Sequence, residues 1–183
     1  MKKTMQMISV LTMVGIISGA ALAFIYIYAN PLIAQNQKNE IKEAVFNIFP
    51  EAKSYEPVAK GGQQIFSVKD PEGKLLGYAF QAEGNGYQGA IKLMAGIKPD
   101  AETLVGIEIL ESQETPGLGQ EIAGNDFKKQ FIGLEASPEI TYVKNKKPEK
   151  PNEIQAITGA TISSRAVVSI LNAKIEKLKK ILP

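Results

Sequence analysis

Between Thr4 and Gln37 the chain carries no charged side chain. Inside that stretch, residues 7–29 (MISVLTMVGIISGAALAFIYIYA) form an apolar run of 23 residues. A helix of that length crosses the hydrocarbon core of a bilayer with some tilt. In lipid the backbone must satisfy its own hydrogen bonds, so a lone apolar run of this kind has few options besides a helix. Tyr26 and Tyr28 stand near its outer end, where amphipathic rings favour the interface. Lys2 and Lys3 precede it and mark the N-terminus as cytoplasmic. Ala21-Leu22-Ala23 resembles a signal-peptide cleavage site. The apolar run continues past it to Tyr28, however, longer than a signal peptide needs, and the reading is an uncleaved single-pass anchor in the cell membrane. The expected organisation is a cytoplasmic N-terminus at 1–6, a transmembrane helix at 7–29, a juxtamembrane helix and linker at 30–55, and an extracytoplasmic domain at 56–183.

Charge follows the same division. All 19 acidic residues come after the apolar run, and so do all but two of the 21 basic ones. The remainder is therefore neutral and lacks the basic stripe that binding to nucleic acid requires. It is long enough for one domain of roughly 140–150 residues. The chain has no Cys, His or Trp. That excludes His/Cys zinc sites, His-ligated haem, Cys-ligated iron–sulfur clusters and any nucleophile activated by His. No D-x-D-x-D-G pattern points to calcium, so no metal site is assigned.

Hydrophobic periodicity places the elements of the domain. Ile41, Ala44, Val45 and Ile48 recur at helical spacing and Pro50 ends that run, which predicts a helix over 38–49. Strands are expected at 64–69, 75–82, 90–97 and 104–111. Leu76, Tyr78 and Phe80 share one face of the second, and Ile91, Leu93, Ala95 and Ile97 alternate along the third. Short turns between them predict an antiparallel meander. A helix over 125–132, with Asn125 as its cap, a strand at 139–144 and a solvated loop at 145–153 follow. The last element is an amphipathic helix from Ile162 to Leu182, carrying Val167, Val168, Leu171, Ile175 and Leu178 on one face. The fold class is α+β: an antiparallel sheet with flanking helices, preceded by one N-terminal transmembrane helix.

Three stretches carry chemistry. ITGATISS, 157–164, opens the last helix. A helix start offers unpaired N–H groups and partial positive charge, which suit a phosphate, and Gly159 and Ala160 let a ligand approach the backbone. A hydroxyl at Thr161 or Ser163 would cap the helix, hydrogen-bond to a ligand or carry a phosphoester; plain N-capping is the commoner use of such residues. ETPGLG, 114–119, combines a fixed angle at Pro116 with two permissive glycines and so makes a rigid turn presenting Leu118. GNGYQG, 84–89, sets Tyr87 between glycines, either over a flat ligand or at the edge of the core.

Taken together and in this order, ETPGLG, TGATIS at 158–163 and GNGYQGAIKLMAGI at 84–97 resemble the FMN-binding domain of the Rnf and Nqr membrane respiratory complexes. The resemblance spans about residues 75 to 171, and the chain's length is closer to the G subunit of Rnf-type complexes than to the C subunit of Nqr. It implies FMN held by a phosphodiester to the final hydroxyl of the S/T-G-A-T-x-T/S pattern. Ser163 falls at that position, Thr161 is the alternative, and Thr158, Gly159 and Ala160 complete the segment. It also implies that Glu114, Thr115 and Leu118 help to hold the flavin. Three positions depart from the family: Ser163 stands where most relatives have Thr, Ser112 where many have His, and Gln155 where many have Asp. The implied protein is an electron-transfer subunit of an ion-translocating ferredoxin:NAD⁺ oxidoreductase, not catalytic alone. Its implied partners are the other redox subunits, a flavin transferase and the lipid bilayer. The alternatives are another extracytoplasmic flavin system, or an anchored binding module without redox chemistry.

Overall fold

The computed structural model describes residues 2–60 and 63–182. Met1 and Pro183, the outer ends of the expected N-terminal segment and domain, lie outside it. The chain divides into two units, 1–40 and 41–183.

The first unit is helical throughout. It belongs to α1 (Lys2–Ile48), in which Pro31 is accommodated without ending the helix. The expected separation of a transmembrane helix at 7–29 from a juxtamembrane helix starting near 38 is therefore not seen: helical structure is unbroken across 30–37. A proline costs one backbone hydrogen bond, and the remaining bonds carry the helix past it. The large apolar side chains from Met5 to Ile33 are exposed. Together with a mean hydropathy of 2.3 over its most apolar 18 residues, this gives one helix long and apolar enough to cross a membrane.

The second unit is built on five strands: β1 (Ser54–Lys60), β2 (Gln63–Lys69), β3 (Leu75–Asn85), β4 (Ala90–Ile97) and β5 (Leu104–Ser112). They pair in sequence order and antiparallel throughout. The meander is as expected, with β1 added at its edge. Pro57 on an edge strand is tolerated because the missing N–H is needed on one side only.

Both faces of this sheet are covered, which is why β4 is buried at alternate positions and between them. On one face Phe80, Ile91, Leu93, Ala95 and Ile97 pack against α3 (Thr161–Lys179) through Val167, Leu171, Ile175 and Leu178. Ile122, Phe127 and Phe131 extend that layer, the two phenylalanine rings meeting edge-on at 5.3 Å. On the other face Phe66, Val68, Ala79 and Met94 meet Ala44, Val45, Ile48 and Phe49. Gly96 admits this approach: a Cβ there would lie 2.5 Å from Ile48. Leu76 packs with this second layer, away from Phe80. The bulge at Val68/Lys69 shifts the register beside it and turns its side chain over.

Two elements differ from expectation between β5 and α3. The helix expected over 125–132 is a single α turn, α2 (Asn125–Lys128), continued as a 3₁₀ turn at Lys129–Phe131. Gly124, not Asn125, holds its cap position, and no side chain caps it. The loop expected over 145–153 gives its end to a short strand, β7 (Glu153–Gln155), which pairs in parallel with β6 (Thr141–Val143). Ile154 in β7 is fully buried. Asn172 of α3 reaches the same region, where its amide accepts from the N–H of Ile140 at 2.9 Å and donates to its carbonyl at 2.8 Å.

Candidate functional site

Three loops converge on the first turn of α3. The connection β3–β4 closes with the N–H of Gly86 donating to the carbonyl of Gly89. The loop after β5 folds over Thr115, whose carbonyl accepts from the N–H groups of Leu118 and Gln120, and Gly117 supplies the left-handed angle (φ 72°) that this turn needs. The segment entering α3 turns at Gly159 (φ 85°), with the N–H of Ala160 donating to the carbonyl of Ile157. Ser164 pins that turn from inside: its hydroxyl accepts from the N–H of Ile157 and donates to the carbonyl of Ala160, each at 3.0 Å.

One carboxylate joins the three. Glu114 is only 5% exposed. Its Oε1 accepts from the backbone N–H groups of Tyr87 (2.6 Å) and Gln88 (3.2 Å), and its Oε2 accepts from the hydroxyl of Ser163 (2.7 Å). Among the described residues no Lys or Arg pairs with it. Space for the carboxylate comes from two glycines. A Cβ at Gly86 would collide with Oε1, and one at Gly119 would lie 2.5 Å from Oε2 and 2.8 Å from the hydroxyl oxygen of Ser163. The hydroxyl of Thr115 adds a second tie, donating to the side-chain carbonyl of Gln88 at 2.6 Å.

The result is a cleft of about 410 Å³, a size in the range of small-molecule sites. Tyr87, Glu114, Thr115, Leu118, Gly119, Gly159, Ala160, Thr161, Ile162 and Ser163 line it. Seven of the eight residues that the resemblance placed at the site thus meet in one place, and Tyr87 joins them. Thr158 does not: it is exposed and faces a separate cavity beside Gln130 and Gln155. The sequence reading gave no site role to Gln88 or Ser164, whose only signal is a polar side chain beside a glycine turn. The hydroxyl cap that the sequence favoured for α3 is not present. The cap position is Ala160, with no side-chain cap, and the first-turn N–H groups of Thr161, Ile162 and Ser163 have no acceptor among the described residues.

These features fit a flavin mononucleotide. The uncapped start of a 19-residue helix presents unpaired donors and the positive end of its dipole to a phosphate. Leu118 and Tyr87, 48% and 68% exposed, offer apolar surface to a flat ring system. The family model described as an FMN-binding domain matches residues 86–176, a range that contains every residue lining this cleft.

The chain belongs to the G-subunit family of ion-translocating, Rnf-type oxidoreductase complexes. It is 32% identical to the G subunit of the ion-translocating oxidoreductase complex of Methanosarcina acetivorans, over 96% of this chain and 94% of that one. It is 35% identical to the G subunit of the Na⁺-translocating ferredoxin:NAD⁺ oxidoreductase complex of Acetobacterium woodii, over 91% and 87%. Among solved structures it is similar to the C subunit of the Na⁺-translocating NADH-quinone reductase from Parabacteroides distasonis, with a TM-score of 0.57 and 27% identity over 64% of this chain and 61% of that one. NqrC from Shewanella oneidensis shares the fold, with a TM-score of 0.59 at 21% identity over 74% and 75%.

Proposed function

We propose that this chain is the FMN-carrying electron-transfer subunit of an Rnf-type ferredoxin:NAD⁺ oxidoreductase that couples electron flow to Na⁺ or H⁺ translocation. Residues 7–29 span the cell membrane with Lys2 and Lys3 on the cytoplasmic side, and residues 56–183 hold the flavin outside. The observation that carries this reading is the cleft between Leu118, Tyr87 and the uncapped start of α3. Bound FMN would supply the redox chemistry, accepting and releasing electrons one or two at a time. The protein supplies position and charge. Leu118 and Tyr87 would offer apolar surface to the ring system, the N–H groups of Thr161, Ile162 and Ser163 would hold the phosphate, and the dipole of α3 would offset its charge by about 0.3–1 kcal/mol.

The linkage is a phosphodiester to Ser163, whose place at the end of TGATIS and on the cleft wall supports it. In the unmodified chain its hydroxyl donates to Glu114. Attachment would break the Ser163 O–H bond and the bond from the flavin phosphate to the leaving group of an activated flavin nucleotide. The proton and that group would depart as the oxygen bonds to phosphorus and gives up its hydrogen bond to Glu114. Ser163 is 2% exposed, so a transferase from the same side of the membrane needs the cleft to open. Thr161 is the alternative. It is half-buried, lines the same cleft, and its hydroxyl has no protein partner among the described residues. A covalent link keeps the flavin from being lost outside the cell.

The test is the chain purified from its native membrane and denatured. A yellow protein whose mass exceeds that of the polypeptide by FMN less one water, mapped by fragmentation to Ser163, is expected. Co-purification with other redox subunits is expected under mild detergent. A colourless, unmodified chain from cells with an active flavin transferase would leave only an anchored binding module.

A further inference from the structure

Resting on the FMN reading above, we infer that Glu114 sets the redox potential of the flavin through its buried charge, in addition to fastening the cleft. The fastening itself does not require a charge. A glutamine would present one oxygen to the N–H groups of Tyr87 and Gln88 and an amide to the oxygen of Ser163, free or esterified. Burial of a carboxylate with no cationic partner is costly by comparison. Glu114 nevertheless carries one, 5% exposed, without a Lys or Arg partner among the described residues, on the wall of the cleft.

Charge in such a place is poorly screened, because solvent reaches it on little of its surface. Each electron taken up in the cleft adds negative charge near a fixed negative charge. Glu114 therefore opposes reduction and holds the potential low. The two backbone N–H groups on Oε1 keep the carboxylate from swinging into solvent whether or not Ser163 is esterified, so the effect is constant from one turnover to the next. The other residues lining the cleft have uncharged side chains, so beside the fixed dipole of α3 Glu114 is the charged side chain that acts on it.

The experiment uses the full chain in its native complex, comparing wild type with Glu114→Gln and Glu114→Asp. Covalent loading is read by denaturing mass and the midpoint potential by titration at an electrode with mediators. Glu114→Gln is expected to raise the ratio of reduced to oxidised flavin at a fixed potential about tenfold per electron, a positive shift of about 59 mV for a one-electron couple. Glu114→Asp keeps the charge and is expected to stay within about twofold of wild type. A loaded Glu114→Gln chain with an unshifted potential would overturn the inference. So would equal shifts in both variants, or loss of loading in both, since either assigns Glu114 to shape alone. A wild-type chain without flavin would instead defeat the proposed function itself.

Discussion

The hydroxyl of Ser163 donates to Oε2 of Glu114 across 2.7 Å, joining residues 49 apart in sequence inside the body of the domain. The serine that the family pattern aligns with the flavin-bearing position is thus held against a carboxylate. The threonine two residues before it has no such partner.

The first prediction separates the two hydroxyls. Ser163→Ala is expected to abolish covalent FMN, and the unloaded chain to lose about 1.5–3 kcal/mol of stability, the range for a hydrogen bond to a charged group. Thr161→Ala is expected to keep the flavin. Ser163→Thr, which restores the hydroxyl on a larger side chain, is expected to load. Intact mass and urea unfolding of the detergent-solubilised chain read all three. Retention of flavin in Ser163→Ala with its loss in Thr161→Ala would reverse the assignment.

Gly119 and Gly117 should respond differently to alanine. At Gly119 a Cβ meets the Glu114 carboxylate and the Ser163 hydroxyl together, so Gly119→Ala is expected to cost about 1–3 kcal/mol and to impair loading. At Gly117 nothing lies within 4 Å of the added atom and only the left-handed backbone (φ 72°) resists it, at about 1–2 kcal/mol. Loading should survive there. Equal loss of loading in both variants would show that the turn, not the crowding of Glu114, controls the site.

The contact between Asn172 and Ile140 predicts a penalty larger than its exposure implies. Asn172→Ala leaves both the N–H and the carbonyl of Ile140 without their partner, at about 1–3 kcal/mol for each buried group left unsatisfied. Ile154→Ala, which empties a fully buried position in β7, is expected to cost about 2–5 kcal/mol. Chemical denaturation of the two variants against wild type checks both. An unchanged midpoint in Ile154→Ala would mean that β6 and β7 detach before the rest unfolds.

Asp100 gives a pH signature. Desolvation would raise the pKa of its carboxyl, but this is outweighed by the N–H groups of Glu102 and Thr103, the Thr103 hydroxyl and nearby Lys98, and the pKa lies below its ordinary value. A depressed carboxylate contributes stability above the unfolded pKa, about 3.9, and loses it as pH falls through the lower folded value. Asp100→Ala is therefore expected to be less stable than wild type at neutral pH, with the difference closing below about pH 4. The group is largely exposed, so the effect is small. A difference that does not shrink at all as pH falls below about 4 would assign it to turn geometry alone.

The residues explain which parts of the fold were legible. Strands β2 to β5 alternate apolar and polar side chains, and α3 repeats its apolar side chains at helical spacing, so their positions follow from periodicity. β1 reads as SYEPVAK, where a proline and a glutamate mask an edge strand. β7 has three residues behind a run of lysines, and its single buried side chain, Ile154, leaves no period to detect. The apolar run ends at Ala29, but the helical backbone continues through Asn30 and Pro31. In the cleft, the glycines, the hydroxyls of Thr161 and Ser163 and Leu118 announced themselves, whereas Thr158 of the same segment lies outside it. Glu114 is different: a glutamate before a turn ordinarily faces water, and its burial depends on two N–H groups supplied 26 and 27 residues earlier.

That dependence bears on the order in which the protein matures. The five-strand meander ends at Ser112 and pairs each strand with its neighbour in sequence. The cleft needs Ser163, from the last helix, before Glu114 has its third donor. As the chain is synthesised from its N-terminus, all five strands are made before Ser163. On the proposed function, flavin attachment at Ser163 would therefore come after every strand of the sheet is made, and the colour of the protein would mark chains that carry their last helix.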